Sequence, residues 1–308
     1  MIKIKLMLEY FHPWPNSAGY YVARENHFYS EQNLDVEIVV GDPHFGDALS
    51  YLQRKEVTFG VFPSNRLLVR RAEGQPLKGV AAINHTGLES IQTLAGRGIS
   101  RPRDLEGKRL ALNPTPRGVA MVRHLVRQDG GDPDKLIFID SGVRELTPEE
   151  LKAGIADASF GGYWAWEALM SSSVPDEERV VMPVSDHGAP PYHSYLLGAH
   201  EDTLANSPDV VRRFIAATSR GYYHTAAHPE EALRIFEKTT PYFPSDLLSA
   251  SLNAITPTWF HQRQWGIQRE SLLQPYAQWL HQNGIINHAG IWRDATTNRF
   301  LPEVTHVG

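Results

Sequence analysis

Short apolar runs alternate with segments of helical spacing along the first ninety residues, and this alternation strongly limits the folds open to the chain. Residues 2–8, for example, alternate apolar and basic side chains, as a half-buried strand does. The pattern predicts strands over 2–8, 35–40, 58–62 and 79–83, and helices over 19–30, 47–55 and 65–73. Strand–helix–strand units of this length indicate a parallel sheet with helices on both faces.

A polar, turn-rich segment over residues 100–108 precedes a second series of the same kind. This series predicts strands over 109–112, 136–139, 157–160 and 179–183, and helices over 117–128, 148–153 and 163–170. After a strand at 195–199 the chain becomes mostly helical, with helices over 208–226, 229–238, 245–252 and 270–283. We therefore predict an α/β fold of two lobes with a ligand cleft between them. Residues 1–92 and 195–308 would form lobe 1, and 93–194 lobe 2.

Composition excludes several classes of protein. The 308 residues carry 30 Lys and Arg against 35 Asp and Glu, and no long basic run, which argues against a nucleic-acid binder. No window approaches the roughly 18 apolar residues of a membrane helix. Cysteine is absent, which removes disulfides, Cys-ligated metals and thiol nucleophiles. The 14 histidines lack metal-binding spacing, so we expect no metal and no cofactor.

The first residues have no apolar signal region and no small-residue cleavage site. Two locations stay open. The protein is periplasmic or otherwise extracytoplasmic if a leader was removed, and cytoplasmic if Met1 is the native start.

Several segments resemble the alkanesulfonate/thiamine-pyrimidine family of substrate-binding proteins, which has the type II periplasmic-binding fold. The similar segments are GYYVA at 19–23, FY at 28–29, NLDV at 33–36, TFGV at 58–61, DLEGKR at 104–109, DVVRRFIAATSRGY at 209–222 and HPEEA at 228–232. Their order and spacing span nearly the whole chain. Most members of the family are receptors for ATP-driven importers and a minority are enzymes, so the resemblance implies ligand capture without deciding between these classes.

In lobe 1, the loops after the strands supply the candidate ligand residues, because ligands of open parallel sheets bind beyond the strands' carboxyl ends. Phe11 and Trp14 would stack on a flat ring, or else pack beneath their loop. His44 and Arg66 face the predicted cleft, although Arg66 also fits a solvated basic helix face. Ser64 would contact the ligand or simply cap a helix.

In lobe 2, a glycine-aromatic stretch follows the predicted strand at 157–160. The pyrimidine-binding branch has a similar stretch that ends in a ligand-facing Glu. The resemblance therefore implies ligand contacts for Tyr163, Trp164 and Glu167, whereas the alternative is a surface Glu beside core aromatic residues. A carboxylate can accept hydrogen bonds from an exocyclic amine and a protonated ring nitrogen.

Two further loops of lobe 2 supply candidates. Thr115 and Arg117 begin a helix and could hold a carboxylate, sulfonate or phosphate, although Thr115 also fits a simple helix cap. His187 lies where the branch has an aromatic hinge residue and would line the cleft.

The related yeast-type synthase makes the thiamine pyrimidine from pyridoxal phosphate and one of its own histidines, and its motifs fail here. Phe62 stands at its Schiff-base Lys and Arg66 at its sacrificed His. Residues 190–194 replace its cysteine-rich run, and 114–118 replace its phosphate loop. We therefore exclude that chemistry.

The favoured hypothesis is an importer-type substrate-binding protein that captures a small flat heteroaromatic ligand, a thiamine-precursor-like pyrimidine, with an ABC permease as a possible partner. The alternative is a cytosolic, decarboxylase-like enzyme acting on an aromatic acid. For that enzyme, arginines would orient the carboxylate and a histidine would move the proton.

Overall fold

The protein is described by a computed structural model that covers residues 1–142, 144–170 and 173–303. The chain forms two compact units. Unit 1 combines Met1–Thr86 with the chain from Tyr192 onward, and unit 2 is the continuous segment Gly87–Pro191. From the sequence we predicted that the chain leaves lobe 1 after residue 92 and returns to it after residue 194.

The secondary structure alternates through both units and becomes helical toward the end. The strands are β1 (Ile2–Met7), β2 (Leu34–Val39), β3 (Phe59–Pro63), β4 (Leu77–Ala82), β5 (Glu89–Leu94), β6 (Arg109–Leu112), β7 (Ile137–Asp140), β8 (Ala158–Tyr163), β9 (Arg179–Pro183), β10 (Tyr195–His200), β11 (Phe260–His261) and β12 (Gln264–Trp265). The helices are α1 (Ala18–Glu25), α2 (Phe28–Glu31), α3 (Ala48–Gln53), α4 (Ser64–Ala72), α5 (Pro116–Gln128), α6 (Pro148–Lys152), α7 (Glu201–Asn206), α8 (Pro208–Ala227), α9 (Pro229–Thr239), α10 (Ser245–Ile255), α11 (Glu270–Gln282) and α12 (Trp292–Ala295).

Unit 1 is built on a five-stranded sheet of order β2-β1-β3-β10-β4. Strands β1, β2 and β3 are parallel, which confirms the pairing predicted for the first part of the chain. Strand β10 is antiparallel to both β3 and β4. The carboxyl ends of β1 to β4 therefore meet at one edge of the sheet, the unit 1 carboxyl edge, where ligands of such sheets bind.

Helices α1 and α8 pack closely in unit 1 because small residues line their contact. A Cβ built on Gly221 would lie 2.1 Å from the carbonyl oxygen of Gly19 and 2.8 Å from the Cβ of Ala23. Nearby, the rings of Phe59 and Phe214 stack with centroids 4.0 Å apart. Close backbone approach and ring stacking together form the core behind the sheet.

The single helix predicted over 19–30 is instead two helices, α1 and α2. The backbone breaks at His27, whose φ of 63° lies in the left-handed region. Non-glycine residues adopt this conformation rarely, so the break could not be predicted from the residue types.

Unit 2 has a second five-stranded sheet, of order β7-β6-β8-β5-β9. Strands β6, β7 and β8 are parallel, and β5 is antiparallel to β8 and β9. Strand β5 lies across the predicted lobe boundary and pairs wholly within this sheet. The carboxyl ends of β6 to β9 define the unit 2 carboxyl edge.

The helix predicted over 163–170 is wrong. Strand β8 continues to Tyr163, and only a short 3-10 turn follows at Glu167–Leu169. The backbone N–H of Tyr163 donates to Glu167 Oε2 at 2.7 Å, and that of Trp164 donates to the carbonyl of Leu88 at 3.0 Å. These bonds hold the chain in a turn that follows the strand.

Across the described ranges, the structure has no helix long and apolar enough to span a membrane.

Candidate functional site

The unit 1 carboxyl edge contains a small pocket, the unit 1 pocket. It has a volume of about 230 Å³ and is lined by Met7, Leu8, Glu9, Tyr10, Phe11, Gly41, Gly46, Asp47, Ala48 and Arg66. Pockets for drug-sized ligands usually measure about 300–1,000 Å³, so this one suits a single small ring. Its walls come from the residues that follow β1, β2 and β3.

Glu9 supplies a carboxylate to the pocket wall, and two side chains donate to it. Trp14 Nε1 donates to Glu9 Oε1 at 2.9 Å, and Asn16 Nδ2 donates to the same oxygen at 3.3 Å. Asn16 is itself fixed, because its Oδ1 accepts from Trp259 Nε1 at 2.9 Å and from Asn84 Nδ2 at 2.8 Å. The carboxylate is therefore oriented by a buried network, as binding groups in preorganised sites are.

Burial raises the pKa of Glu9, and the hydrogen bonds from its own backbone, Asn16 and Trp14 only partly offset this rise. The charged form of a half-buried carboxylate with a raised pKa is stabilised by a partner that donates hydrogen bonds or carries positive charge. Glu9 is thus suited to accept from an amine or a protonated ring nitrogen.

The same shift makes a testable prediction about pH and stability. A group whose pKa is raised on folding favours the folded state while it is protonated, and this contribution is lost as pH rises through the folded-state pKa. We expect the ligand-free protein to gain stability relative to its Glu9→Gln variant as pH is lowered from 7 to 4. Urea unfolding of both proteins at each pH measures the difference. A difference that stays constant with pH would contradict the assigned shift.

Aromatic rings form the exposed rim of the pocket. Phe11 is 60% exposed, and its ring stacks on Tyr10 with centroids 4.5 Å apart and planes inclined by 28°. His12 meets Phe11 edge-on at 4.7 Å. Phe11 is thus a largely exposed ring that lines the same pocket as Glu9, and its stacking on a ligand stays a prediction.

Trp14 is placed differently from the stacking role predicted for it. Its side chain is only 1% exposed, and its indole N–H donates to Glu9. The structure therefore corrects the expected surface position: Trp14 holds a pocket carboxylate from beneath.

Replacing the indole with a phenyl ring removes the N–H together with part of the ring. We expect Trp14→Phe, which keeps an aromatic ring, to lower the free energy of unfolding by about 1–2 kcal/mol, because Glu9 loses a donor and the core loses volume. Chemical denaturation measures the loss. Trp292→Phe, in a helix of unit 1 remote in sequence from Glu9, is the control for removal of an indole. An unchanged stability of Trp14→Phe would show that the Trp14–Glu9 bond contributes nothing.

Charged groups occupy the opposite wall of the unit 1 pocket. Asp47 caps α3 by accepting from the backbone N–H of Ser50 at 3.0 Å, and Arg66 and Arg70 approach it at 3.3 and 3.5 Å. Burial alone would raise the pKa of Asp47, but the Ser50 bonds and both arginines outweigh it and hold that pKa below its usual range. Arg66 lines the unit 1 pocket, and its guanidinium is paired there; its contact with a ligand stays a prediction.

The other two lobe 1 candidates have different surroundings. His44 lies exposed in the loop after β2, and its backbone N–H donates to Asp42 Oδ1 at 2.9 Å. Ser64 is buried, with its hydroxyl donating to the carbonyl of His193 and its N–H to that of Ser194. Ser64 therefore bonds the start of α4 to the two residues that precede β10, and it is not among the residues that line the unit 1 pocket.

In unit 2, the start of α5 combines a cap with an ion pair. Thr115 Oγ1 accepts from the backbone N–H of Gly118 at 3.1 Å, the cap that the alternative interpretation predicted. Arg117, with a side chain 11% exposed, forms an ion pair with Glu89. The predicted anion-binding arginine thus carries an internal counter-ion.

The polar side-chain groups of the glycine-aromatic stretch in unit 2 form hydrogen bonds with backbone groups. Glu167 accepts from the N–H of Tyr163, and Trp164 Nε1 donates to the carbonyl of Gly87 at 3.0 Å. Gly161, with φ of 124°, lies against a second carboxylate, since a Cβ there would approach Glu145 Oε1 to 2.9 Å. Burial and the neighbouring Glu89 raise the pKa of Glu145, only partly offset by hydrogen bonding and Arg144.

His187 ends a short 3-10 turn after β9 and is half-buried. The carbonyl oxygen of the following residue, Gly188, lies 2.9 Å from His124 Nε2 in α5. His187 is therefore held at the unit 2 carboxyl edge. Across the described ranges, no group of three or more His, Asp or Glu side chains could hold a metal ion.

Sequence reasoning missed Glu9 and Asp47. Glu9 follows the β1 apolar run with one intervening residue, and a charged side chain at a strand's carboxyl end is a usable signal for a binding group. Asp47 precedes a helix and has the residue type and position of an N-cap, which concealed its place in the pocket.

Comparison with known proteins relates the chain to one family. The family described as NMT1/THI5 like matches residues 14–232. The formylaminopyrimidine-binding protein of Halalkalibacterium halodurans is 26% identical over 234 residues, which cover 75% of this chain and 69% of that protein. The 4-amino-5-hydroxymethyl-2-methylpyrimidine phosphate synthase of Legionella pneumophila is 24% identical over 309 residues, covering 99% of this chain and 94% of that protein.

Solved structures show the same fold. The periplasmic aliphatic sulphonate-binding protein SsuA of Escherichia coli matches with a TM-score of 0.71 and 15% identity, covering 96% of this chain and 97% of that one. This similarity confirms the predicted periplasmic-binding fold. The match to the NMT1/THI5-like family confirms the predicted family resemblance.

Proposed function

Because the chain belongs to the NMT1/THI5-like family, we propose that it reversibly binds a small, flat, nitrogen-containing ring of the aminopyrimidine class. The formylaminopyrimidine named for the Halalkalibacterium relative has this chemistry. The observation that carries the proposal is the Glu9 carboxylate, which is half-buried, oriented by Trp14 and Asn16, and placed in a pocket of single-ring size.

The pocket offers the two contacts that such a ring requires. The exposed face of Phe11 supplies a stacking surface for a flat π-system. Glu9 supplies acceptors for an exocyclic amine and a protonated ring nitrogen, the same pairing that lets carboxylates read cytosine. Burial of Glu9 strengthens these hydrogen bonds because the local dielectric is low.

The unit 2 residues remain part of the proposal. Arg117 would bind an acidic substituent, with Glu89 as its counter-ion in the ligand-free protein. Glu167 would accept from the ligand, and Tyr163 and Trp164 would supply ring contacts. Thr115, His44 and His187 stay proposed contacts of the loops that carry them.

Reversible capture is the role of an importer's receptor, so we propose an ABC permease as partner and an extracytoplasmic location. The similarity to the Legionella synthase gives the competing proposal of an enzyme. The residue types oppose the synthase chemistry, because Phe62 is buried in β3 with no amine to form a Schiff base. Arg66, at the sacrificed histidine's position, is paired with Asp47.

Calorimetric titration tests the proposal with formylaminopyrimidine, 4-amino-5-hydroxymethyl-2-methylpyrimidine and a short alkanesulfonate. We expect saturable binding of one aminopyrimidine per chain and recovery of the ligand unchanged by mass spectrometry. At 100 times its Kd the ligand should stabilise the fold by about 2.7 kcal/mol. Consumption of an aromatic acid would support the enzyme instead, and binding of the sulfonate alone would exclude the pyrimidine.

A further inference from the structure

Three histidines and an arginine of unit 1 form a cluster, the histidine–arginine cluster, that the proposed function does not use. His85 follows β4, His193 precedes β10, His261 ends β11, and Arg269 precedes α11. The His85 ring centroid lies 5.1 Å from that of His193 and 6.0 Å from that of His261. Arg269 Nη2 donates to the His85 carbonyl oxygen at 3.3 Å, which ties the arginine to the cluster.

Arg269 differs from other half-buried arginines of the protein. Arg71, Arg97 and Arg117 each face a carboxylate, at Glu201, Asp157 and Glu89 respectively. Arg269, by contrast, forms no ion pair with any described residue. Its buried Nε has no hydrogen-bond partner among the described residues, a feature that it shares with Arg71. Burial lowers the pKa of Arg269, because it removes water from the charged guanidinium.

His193 is fully used by its neighbours. Its Nδ1 lies 2.9 Å from the carbonyl oxygen of Asn84 and therefore donates, and its Nε2 accepts from the backbone N–H of Arg269 at 3.0 Å. These two bonds fix a neutral imidazole. Burial, offset only in part by the Asn84 bond, lowers the pKa of His193 to about 3.

His85 has donor and acceptor capacity to spare. Both of its ring nitrogens are buried, and neither has a hydrogen-bond partner among the described residues. Burial first, then the nearby His193, Arg269 and His261, lower the pKa of His85 to about 3. At neutral pH the ring is uncharged, so it offers one N–H donor beside a permanent positive charge.

We infer that Arg269 and His85 form a binding site for a small oxyanion group of the carboxylate, sulfonate or phosphate class. Arg269 supplies charge and N–H donors, and His85 supplies a neutral N–H. One bound oxyanion would give partners to the buried nitrogen of Arg269 and to a nitrogen of His85. Charge-assisted bonds of this kind are about twice as strong as neutral ones.

The chemistry of the cluster selects against a cation. Arg269 would repel a metal ion, and the residues that shift the pKa of His85 are histidines and an arginine without any carboxylate. A neutral ligand would leave the guanidinium without a counter-charge, at the cost that burial of an unpaired charge carries. The inference goes beyond the proposed function, because this site needs no pyrimidine.

Titration with simple anions tests the site without any pyrimidine. Sodium sulfate, phosphate, methanesulfonate and acetate are added to the whole protein at constant ionic strength, with sodium chloride as the reference salt. We expect saturable binding by calorimetry, and about a tenfold or greater loss of affinity in Arg269→Gln. The order of the four anions distinguishes a tetrahedral from a planar oxyanion as the preferred group.

Three control variants and one reference measurement keep the outcome clear. Arg263→Gln, which removes an exposed charge from the neighbouring hairpin, is expected to keep the wild-type affinity. Glu9→Gln should also keep it, so that failure of this site and failure of the pyrimidine proposal can be told apart. Circular dichroism and unfolding in chloride establish that Arg269→Gln is folded, and Arg269→Lys should retain part of the affinity.

Sulfate also stabilises proteins generally, because it is excluded from their surfaces. A stabilisation by sulfate that is unsaturable and equal in wild type and Arg269→Gln would overturn the inference. So would an Arg269→Gln protein that is folded and binds all four anions as tightly as wild type.

Discussion

Replacing Glu9 with glutamine is expected to weaken aminopyrimidine binding about 30-fold, which corresponds to about 2 kcal/mol. Glutamine keeps one acceptor oxygen for Trp14 and Asn16 but loses the negative charge. It also presents an NH₂ group where an amine of the ligand would donate, so one attractive bond becomes a repulsive contact. Calorimetric titration of both proteins at pH 7 measures the ratio of the two Kd values.

The matched control is Glu25→Gln, which removes a carboxylate of the same type from the exposed end of α1. Its affinity should equal that of wild type. Equal binding by Glu9→Gln and wild type would show that the ligand does not use this carboxylate. The acceptor predicted from sequence, Glu167, would then be the next residue to replace.

A methyl group added at Gly221 is expected to lower the free energy of unfolding by about 3 kcal/mol or more. The new Cβ would lie 2.1 Å from the carbonyl oxygen of Gly19 and 2.8 Å from Ala23 Cβ. Both atoms belong to the facing helix α1, and neither is the end of a flexible side chain. The clash can therefore be relieved only if α1 and α8 move apart. Urea denaturation of Gly221→Ala measures the loss.

Gly118→Ala is the matched control, because it too adds a methyl group inside a helix. Its Cβ would meet Thr115 Oγ1 at 3.1 Å and the Asn113 carbonyl oxygen at 3.3 Å, contacts that small shifts can relieve. Alanine is also favoured over glycine in a helix by about 1 kcal/mol, so the net change should be small. A Gly221→Ala protein as stable as this control would show that the two helices can separate without loss.

Local patterns in the sequence predicted much of the fold because they report local physics. The apolar alternation of β1 and the cap at Thr115 are both present as expected. Strand β5 was not predicted, because Ser90, Gln92 and Thr93 interrupt its apolar residues; it lies between β8 and β9. Ser90 and Thr93 are satisfied there by the carbonyls of Gly162 and Asp157, partners distant in sequence.

The candidate site was less predictable because its geometry depends on contacts between distant segments. Phe11 could be placed on an exposed loop from sequence, and it is there. Trp14 could not be placed, because its burial depends on the bond to Glu9 and on the surrounding core. The link from Glu9 through Asn16 to Asn84 and Trp259 spans most of the chain, and no spacing rule reports it.

Strand β10 lies between β3 and β4, but it is synthesised after the whole of unit 2. This position determines the order in which the two sheets can be completed during synthesis. Unit 2 is a continuous segment and can fold once residue 191 has emerged. Strands β3 and β4 must wait for β10, and until it is made each has an edge whose backbone groups are unpaired. Unpaired edges attract other chains, so the nascent polypeptide passes through an interval in which binding by chaperones would protect it from aggregation.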